Sequence, residues 1–225
     1  LGGHSHGELA AGIAIEVFID AFSRHGNQAF ADPQDFLVAT MQAAHQGIMQ
    51  LPNDKDVGFP GTTCVAALIQ DGVMYSAYAG DSRLYVLRGH AVLHRTRDHS
   101  MVQQWVDWGV ISEEESRVHP RRNQITNCLG GIEEMFYAES CTAVPLQMGD
   151  RVLLCSDGLW GPFGDNEIAT SLKTASDSEL NSLMLTAYQR EGGRSDNITG
   201  VALAWDESQD DKSTEQVVSA VLEIV

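Results

Sequence analysis

The amino-acid sequence predicts an α+β fold in which two antiparallel β-sheets pack face to face as a central sandwich, with α-helices on both outer sides. Three observations lead to this four-layer α-β-β-α arrangement. Helical periodicity occurs near both ends of the chain, and short β-branched and aromatic runs joined by turn residues lie between. The elements do not alternate strand by helix, as a parallel sheet requires. The run 152–155 is apolar without alternation, which indicates a strand covered on both faces.

The first fifth of the chain is predicted to be helical. Within residues 8–24, apolar side chains recur at steps of three and four, as on the buried face of an amphipathic helix: Ala11, Ile15, Phe18, Ile19 and Phe22. A second helix is predicted over about 35–50. Residues 52–60 contain Pro, Asn, Asp and Gly, a composition typical of a surface loop.

The next part of the chain is predicted to be an antiparallel meander of β-strands. The runs 62–69, 73–79 and 84–87 are rich in β-branched, aromatic and aliphatic residues. Asp71-Gly72 stands between the first two runs, where this dipeptide is typical of a hairpin turn. Residues 90–94 are predicted to add a short fourth strand.

The remaining chain mixes predicted helices and strands. Ser100 is expected to cap a helix that ends near Trp108, and Ser112 to open a shorter one. Strands are predicted near 136–142, at 151–155 and at 198–205, and helices at 165–173 and 178–190. After an acidic linker at 206–211, a C-terminal helix is predicted over 213–225 from apolar residues that would share one face: Val217, Val218, Val221 and Ile224.

Composition limits the class of protein. The chain has 225 residues and a formal net charge of −17, which argues against nucleic acid or an anionic membrane as a partner. No apolar run is long enough to span a bilayer, and no signal peptide is recognisable, so we expect a cytoplasmic protein. We also expect one domain and a monomer. The four cysteines are scattered without close pairs, which predicts reduced thiols: Cys64, Cys128, Cys141 and Cys155.

Three aspartates stand next to small residues where a predicted strand meets a turn: Asp81, Asp157 and Asp196. Taken singly, each has a plain structural interpretation, because Asp-Gly and Asp-Asn are common turn dipeptides. Together they suggest a cation site, since carboxylates gathered at strand ends repel one another unless a proton or cation intervenes. Hard oxygen ligands without accompanying His or Cys pairs favour Mg²⁺ or Mn²⁺ over Zn²⁺. Two such ions can activate a water molecule for attack on phosphorus.

At this point a set of ordered motifs resembles the metal-dependent serine/threonine protein phosphatases of type 2C, in their compact bacterial form. The motifs keep the family's order over nearly the whole chain: Leu1-Gly2-Gly3-His4, Gly61-Thr62-Thr63, Gly80-Asp81-Ser82-Arg83, Asp98-His99-Ser100, His119-Pro120-Arg121-Arg122, Ser156-Asp157-Gly158-Leu159 and Gly193-Arg194-Ser195-Asp196-Asn197. Any one of these matches would be weak, whereas their order makes the resemblance specific. It implies hydrolysis of phosphoserine and phosphothreonine with Mn²⁺ or Mg²⁺.

The resemblance also assigns residues to the metal centre. Asp157 and Asp196 would be catalytic ligands of two ions, and Asp81 with Asp157 would hold a third, more weakly bound ion. The family's first Asp, its neighbouring Gly and its phosphate-binding Arg match positions that would precede Leu1. We therefore expect residues 1–225 to form a catalytic domain without its first strand, and the natural protein to extend further. Leu1 stands where eukaryotic members carry a His thought to protonate the leaving group, which bacterial relatives lack.

The resemblance places a flap over residues 98–130, beside the active site. Substrate contacts are expected from His4, Arg121, Arg122 and Asn197. Each has a competing interpretation or only motif support: His4 could instead make a structural hydrogen bond at the glycine turn. Arg121 and Arg122 could instead form ion pairs with the glutamates at 113–115. Trp105 and Trp108 in the preceding helix are expected to pack in the core.

Two other functions stay open at the level of sequence. The chain could be an inactive module that recognises phosphoproteins through the cleft and flap, or a partner-switching regulator that acts on one dedicated protein. A covalent tyrosine-phosphatase mechanism is disfavoured, because no cysteine lies in a Cys-x5-Arg loop. In each case the expected partners are phosphorylated proteins, for the enzyme those modified by a serine/threonine kinase.

Overall fold

The computed structural model describes residues 7–26, 28–51, 60–131, 136–192, 197–206 and the backbone of 219–224. Two long helices come first, α1 (Gly7–His25) and α2 (Pro33–Met49), as predicted. The start of α2 follows from local chemistry, because the Asp32 side chain accepts a hydrogen bond from the Asp35 N–H and Pro33 occupies the first turn.

One sheet lies directly under these two helices. Its strands are β2 (Cys64–Gln70), β3 (Val73–Ala79), β7 (Glu139–Ser140), β8 (Val144–Pro145) and β11 (Ser219–Ile224), in the order β11-β2-β3-β7, with β8 also pairing with β3. The β2-β3 hairpin turns at Asp71 and Gly72, both with positive φ, 53° and 72°. This geometry is that of a type I′ turn and confirms the prediction made from the Asp-Gly dipeptide.

A second antiparallel sheet has the order β10-β9-β4-β5. It contains β4 (Arg83–Arg88), β5 (Ala91–Arg95), β9 (Asp150–Cys155) and β10 (Gly200–Trp205). Its outer face is covered by α5 (Asp157–Trp160), α6 (Asp165–Ser171) and α7 (Asp177–Arg190). The elements agree with the predicted helices and strands in this part of the chain, except that α5 was not foreseen.

Alternation along the central strands shows how the four layers pack. On β2, Cys64, Ala66 and Leu68 join the cluster that contains the buried residues of α1 and α2, whereas Val65, Ala67 and Ile69 join a cluster between the two sheets. On β9, Leu153 and Cys155 face α6 and α7, whereas Val152 and Leu154 face the other sheet. Both sheets are thus apolar on both faces, which is why their central strands read as continuous apolar runs.

The segment 98–130 connects the two sheets and carries two short helices, α3 (Met101–Asp107) and α4 (Glu113–Val118). Ser100 and Ser112 cap them as predicted, and Glu115 completes a capping box with Ser112. The segment ends in β6 (Leu129–Gly130), which pairs with β1 (Gly61–Thr62).

One predicted element was wrong, and another is shorter than predicted. The C-terminal helix expected over 213–225 is contradicted at 219–224, which form strand β11 paired antiparallel with β2. Its β-branched residues suit a strand as well as a helix, and pairing with a neighbouring strand decides between the two. The strand expected at 136–142 is reduced to β7, because only Glu139 and Ser140 pair with β3.

Membrane spans and cysteines were the subject of two further expectations. Within the described ranges, no helix is long and apolar enough to cross a membrane. As predicted, none of the four cysteines, which all lie in the described part of the chain, forms a disulfide, and Cys64 and Cys155 are buried.

Candidate active site

Register between the strands brings two of the predicted aspartates to one edge of the second sheet. Arg83 at the start of β4 lies opposite Cys155 at the end of β9. Asp81 precedes Arg83 by two residues and Asp157 follows Cys155 by two, so both emerge at the same edge. Gly200 at the start of β10 also lies opposite Cys155, which brings the chain just before it to that edge as well. Asp196 belongs to this stretch of sequence but lies outside the described residues, as does His4.

A cavity of about 740 Å³ opens at this edge. Asp81, Asp157 and Asn197, which we call the floor of the cavity, line it together with residues of the 98–130 segment, which we call its wall. Asp157 is the first residue of α5 and directly follows the buried end of β9. The structure therefore places Asp81, Asp157 and Asn197 in one cavity, as the sequence-based site requires.

The electrostatics of the floor favour a cation. Asp81 is buried, and its desolvation together with the charges of Asp157 and Asp98 raises the pKa of its carboxyl to about 8. Such crowded carboxylates are relieved by a divalent ion, and carboxylate oxygens are the donors that Mg²⁺ and Mn²⁺ prefer. Among the described residues no cluster of three or more His, Cys, Asp or Glu side chains stands ready for a metal. The described floor thus supplies two carboxylates, and its donor chemistry fits a hard cation.

A buried arginine supports the backbone of Asp81. The Arg83 Nε and Nη2 atoms donate to the two carboxylate oxygens of Asp98, both at 2.7 Å. The guanidinium carbon lies 3.4 Å from the centroid of the Trp160 ring, and the Trp160 indole donates to the Asp81 carbonyl oxygen at 2.9 Å. Arg83 also donates to the Tyr85 hydroxyl at 2.9 Å.

This support was missed at the level of sequence, although one signal was present. Arg83 begins an apolar strand, and an arginine buried in such a position requires a partner. Arg83 and Asp98 belong to two of the family motifs, but the ion pair between the two side chains was not predicted.

The predicted basic residues are divided between the cavity and the outer surface. Arg122 and Asn123 line the cavity wall, together with Arg117. Arg121 does not line it, and its guanidinium carbon lies 5.9 Å from the centroid of Trp105.

The competing ion-pair interpretation of the two arginines does not hold in the described part of the chain. There, neither Arg121 nor Arg122 has a carboxylate within 4.0 Å, and Glu113 pairs with Arg95 at 3.6 Å instead. The expected core role of Trp108 is wrong, because this side chain is 70% exposed and follows the last residue of α3. Trp105 is half-buried against the edge of His119.

Comparison with known proteins gives one consistent answer. Residues 1–190 match the family described as protein phosphatase 2C. The serine/threonine phosphatase stp of Listeria monocytogenes is 32% identical over 212 residues, covering 93% of this chain and 83% of that protein.

Solved structures agree with this match. The crystal structure of the Mycobacterium tuberculosis serine/threonine phosphatase PstP/Ppp superimposes with a TM-score of 0.80 at 31% identity, over 92% of this chain and 86% of that one. A catalytic domain of the serine/threonine protein phosphatase PstP in complex with two manganese ions gives a TM-score of 0.71 at 26% identity, over 100% and 84%. By sequence and by fold, the chain belongs to the protein phosphatase 2C family.

Proposed function

We propose that this chain is a metal-dependent protein serine/threonine phosphatase that hydrolyses phosphoserine and phosphothreonine at a binuclear Mn²⁺ or Mg²⁺ centre. The observation that carries the proposal is that Asp81 and Asp157 lie at one sheet edge and line the same cavity. There, the negative charge of Asp157 raises the pKa of the Asp81 carboxyl. The named relatives are serine/threonine phosphatases, and one structural neighbour holds two manganese ions. When bound, such ions lower the pKa of a coordinated water and neutralise phosphoryl charge.

Each predicted ligand has a proposed role in this centre. Asp157 and Asp196 would hold the two catalytic ions, and Asp81 together with Asp157 would hold a third. Asp157 is suited to this role because residues of strand β9 and helix α5 on either side of it are packed in the core, which fixes the position of the Asp157 backbone. Asp81 is suited because the Trp160 indole and Arg83 hold the adjoining backbone.

Substrate binding is proposed for the wall of the cavity. Residues 98–130 would form a flap whose Arg122 and Asn123 face the cavity. A guanidinium there can pair with the phosphate of a substrate, and it offers planar donors that match phosphate oxygens. Asn197 would contact substrate from the floor. Arg121 and His4 keep the substrate role predicted for them, although Arg121 does not line the cavity.

The chain would act as one catalytic domain, as a monomer in the cytoplasm, on proteins phosphorylated by a serine/threonine kinase. The net charge of −17 opposes nucleic acid or an anionic membrane as a partner.

The test is release of phosphate from a phosphothreonine peptide by the full-length protein with Mn²⁺, with Mg²⁺ and with chelator. Asp157→Asn is expected to lower kcat by more than about 100-fold, since even outer-shell partners of a metal contribute 10–100-fold. Asp177→Asn is a matched control, because Asp177 is also the first residue of a helix preceded by a serine N-cap but lies outside the cavity. Wild-type rates in Asp157→Asn would contradict the site.

The same assay separates the two rival functions. A phosphopeptide that binds the protein and keeps all its phosphate, with each metal present, would identify a phosphoprotein-binding module. Hydrolysis confined to one phosphoprotein, with none of generic peptides, would identify a partner-switching regulator.

A further inference from the structure

His99 holds the backbone next to Asp81 from two sides. Its main-chain N–H donates to the Gly80 carbonyl oxygen at 2.9 Å, and its ring Nδ1 accepts from the Gly80 N–H at 3.1 Å. The His99 side chain is only 5% exposed. Both hydrogen-bonding groups of Gly80 are therefore satisfied by a single residue.

Gly80 needs such external support. Its φ is +117°, and an added Cβ would lie 2.5 Å from the Thr63 Cβ, so only glycine fits. Glycine is also the residue with the greatest backbone freedom, so nothing in its own chemistry fixes this conformation. Because Asp81 follows directly, the torsion angles of Gly80 fix the orientation of the peptide from which the Asp81 side chain extends.

The ring of His99 is held in the tautomer that this role requires. Glu139 lies 2.8 Å from Nε2, and the Asn127 side-chain nitrogen lies 2.9 Å from Nδ1. An Nε2–H that donates to Glu139 leaves the single lone pair of Nδ1 as an acceptor, which the N–H groups of Gly80 and Asn127 share. The ring also stacks on Tyr78, with centroids 4.7 Å apart. Burial lowers the pKa of His99, which favours the neutral ring.

We propose that His99 is a positioning residue that fixes the Gly80–Asp81 peptide through its Nδ1 atom and thereby sets the affinity of the cation held by Asp81. The inference rests on the proposed function, since it assumes that Asp81 is a metal ligand. Glu139 acts one step further away, because it orients the ring and keeps the proton on Nε2.

Two substitutions at position 99 separate the Nδ1 contact from the rest of the ring. In His99→Asn the Oδ1 atom can replace Nδ1 as the acceptor for Gly80, whereas His99→Gln keeps a polar atom near Nε2 and loses that acceptor. Manganese binding to each full-length variant is measured by calorimetry, beside the Mn²⁺ dependence of phosphate release. We expect His99→Gln to raise the Mn²⁺ concentration at half-saturation of the weak site about tenfold, equivalent to one hydrogen bond of typical strength. His99→Asn is expected to change it less than about threefold.

An Asp81→Ala background shows whether the effect passes through Asp81. If it does, adding His99→Gln to Asp81→Ala produces no further change in Mn²⁺ binding, whereas a general loss of structure would add to it. Unfolding of the metal-free proteins is measured in parallel. Should His99→Gln fail to fold, Glu139→Ala replaces it, because the Glu139 side chain is 43% exposed and its removal leaves no cavity. This variant is expected to weaken binding in the same direction.

The outcomes are distinct. Wild-type Mn²⁺ binding in His99→Gln, or in Glu139→Ala where that variant replaces it, would overturn the inference. An equal loss in His99→Asn and His99→Gln would also overturn it, because packing of the ring and not the Nδ1 acceptor would then matter. Phosphate release without any metal dependence in the wild-type protein would instead contradict the proposed function itself.

Discussion

Replacement of Asp98 by Asn tests whether the buried ion pair with Arg83 stabilises the active-site wall. The two side chains are 8% and 7% exposed, and two hydrogen bonds of 2.7 Å join them in a bidentate arrangement. The Asn side chain has nearly the same volume as Asp, so the change removes charge without creating a cavity. What remains is a guanidinium that is buried without its main counter-charge.

The expected magnitude follows from this environment. Breaking a buried ion pair on one side costs about 3–5 kcal/mol, because the remaining charge is left uncompensated. Asp165 lies 3.7 Å from Arg83 Nη1 and is 28% exposed, so it compensates in part, although it also pairs with Arg95. We therefore expect a loss of about 3 kcal/mol, near the lower end of that range. For a protein of this length, each kcal/mol corresponds to about 2–4 °C, which predicts a fall of about 6–12 °C in Tm.

The assay is thermal and chemical unfolding of the metal-free protein, followed by circular dichroism. Asp20→Asn is the matched control, because Asp20 pairs with Arg24 at 2.9 Å in side chains that are 66% and 79% exposed. An exposed pair of this kind contributes only about 0.3–0.5 kcal/mol. If Asp98→Asn and Asp20→Asn lower Tm by the same small amount, burial of the Arg83–Asp98 pair has no energetic consequence and the reasoning is refuted.

Three further predictions concern the site and the fold. Gly80→Ala is expected to destabilise the protein by at least about 2 kcal/mol, because of its positive φ and the contact with Thr63, and denaturant midpoints would show it. Asp81→Ala is expected to raise the Mn²⁺ concentration needed for full activity while keeping some turnover; an unchanged metal titration would count against a third ion. Burial opposes the charge of Asp150, but hydrogen bonds, chiefly from Arg88, outweigh it and lower its pKa below 3.8. This stabilisation is present above pH 3.8 and is lost as the pH falls through the folded-state pKa. Asp150→Asn should thus be less stable than wild type at pH 7, with a difference that shrinks below pH 4 in pH-dependent unfolding.

Much of the fold could be predicted because its signals are local. The Asp71-Gly72 turn sets the register of the β2-β3 hairpin. Since successive side chains of a strand point to opposite faces of the sheet, that register also sets which residues face the helices. The continuous apolar run that became β9 indicated a sheet covered on both sides. Asp81 and Asp157 could be singled out because each follows such a run, and antiparallel register then carries them to one edge.

What could not be predicted depends on partners distant in sequence. Residues 219–224 have apolar residues compatible with either helical or strand periodicity, and only pairing with β2 selects the strand. The Arg83–Asp98 pair joins residues 15 apart, and the contact of Trp160 with the Asp81 carbonyl joins residues 79 apart. Trp108 was misassigned because a large apolar side chain was taken as evidence of burial, whereas single exposed apolar residues are common.

The two neighbouring residues Asp98 and His99 support Asp81 through separate sets of contacts. Asp98 binds Arg83, which stacks on the ring that donates to the Asp81 carbonyl, and His99 binds both backbone groups of Gly80. Both residues stand at the start of the 98–130 segment, whose later residues line the substrate side of the cavity. Because the same dipeptide contacts the backbone around Asp81 and begins this segment, we expect the geometry of the proposed cation site to depend on the position of the proposed flap.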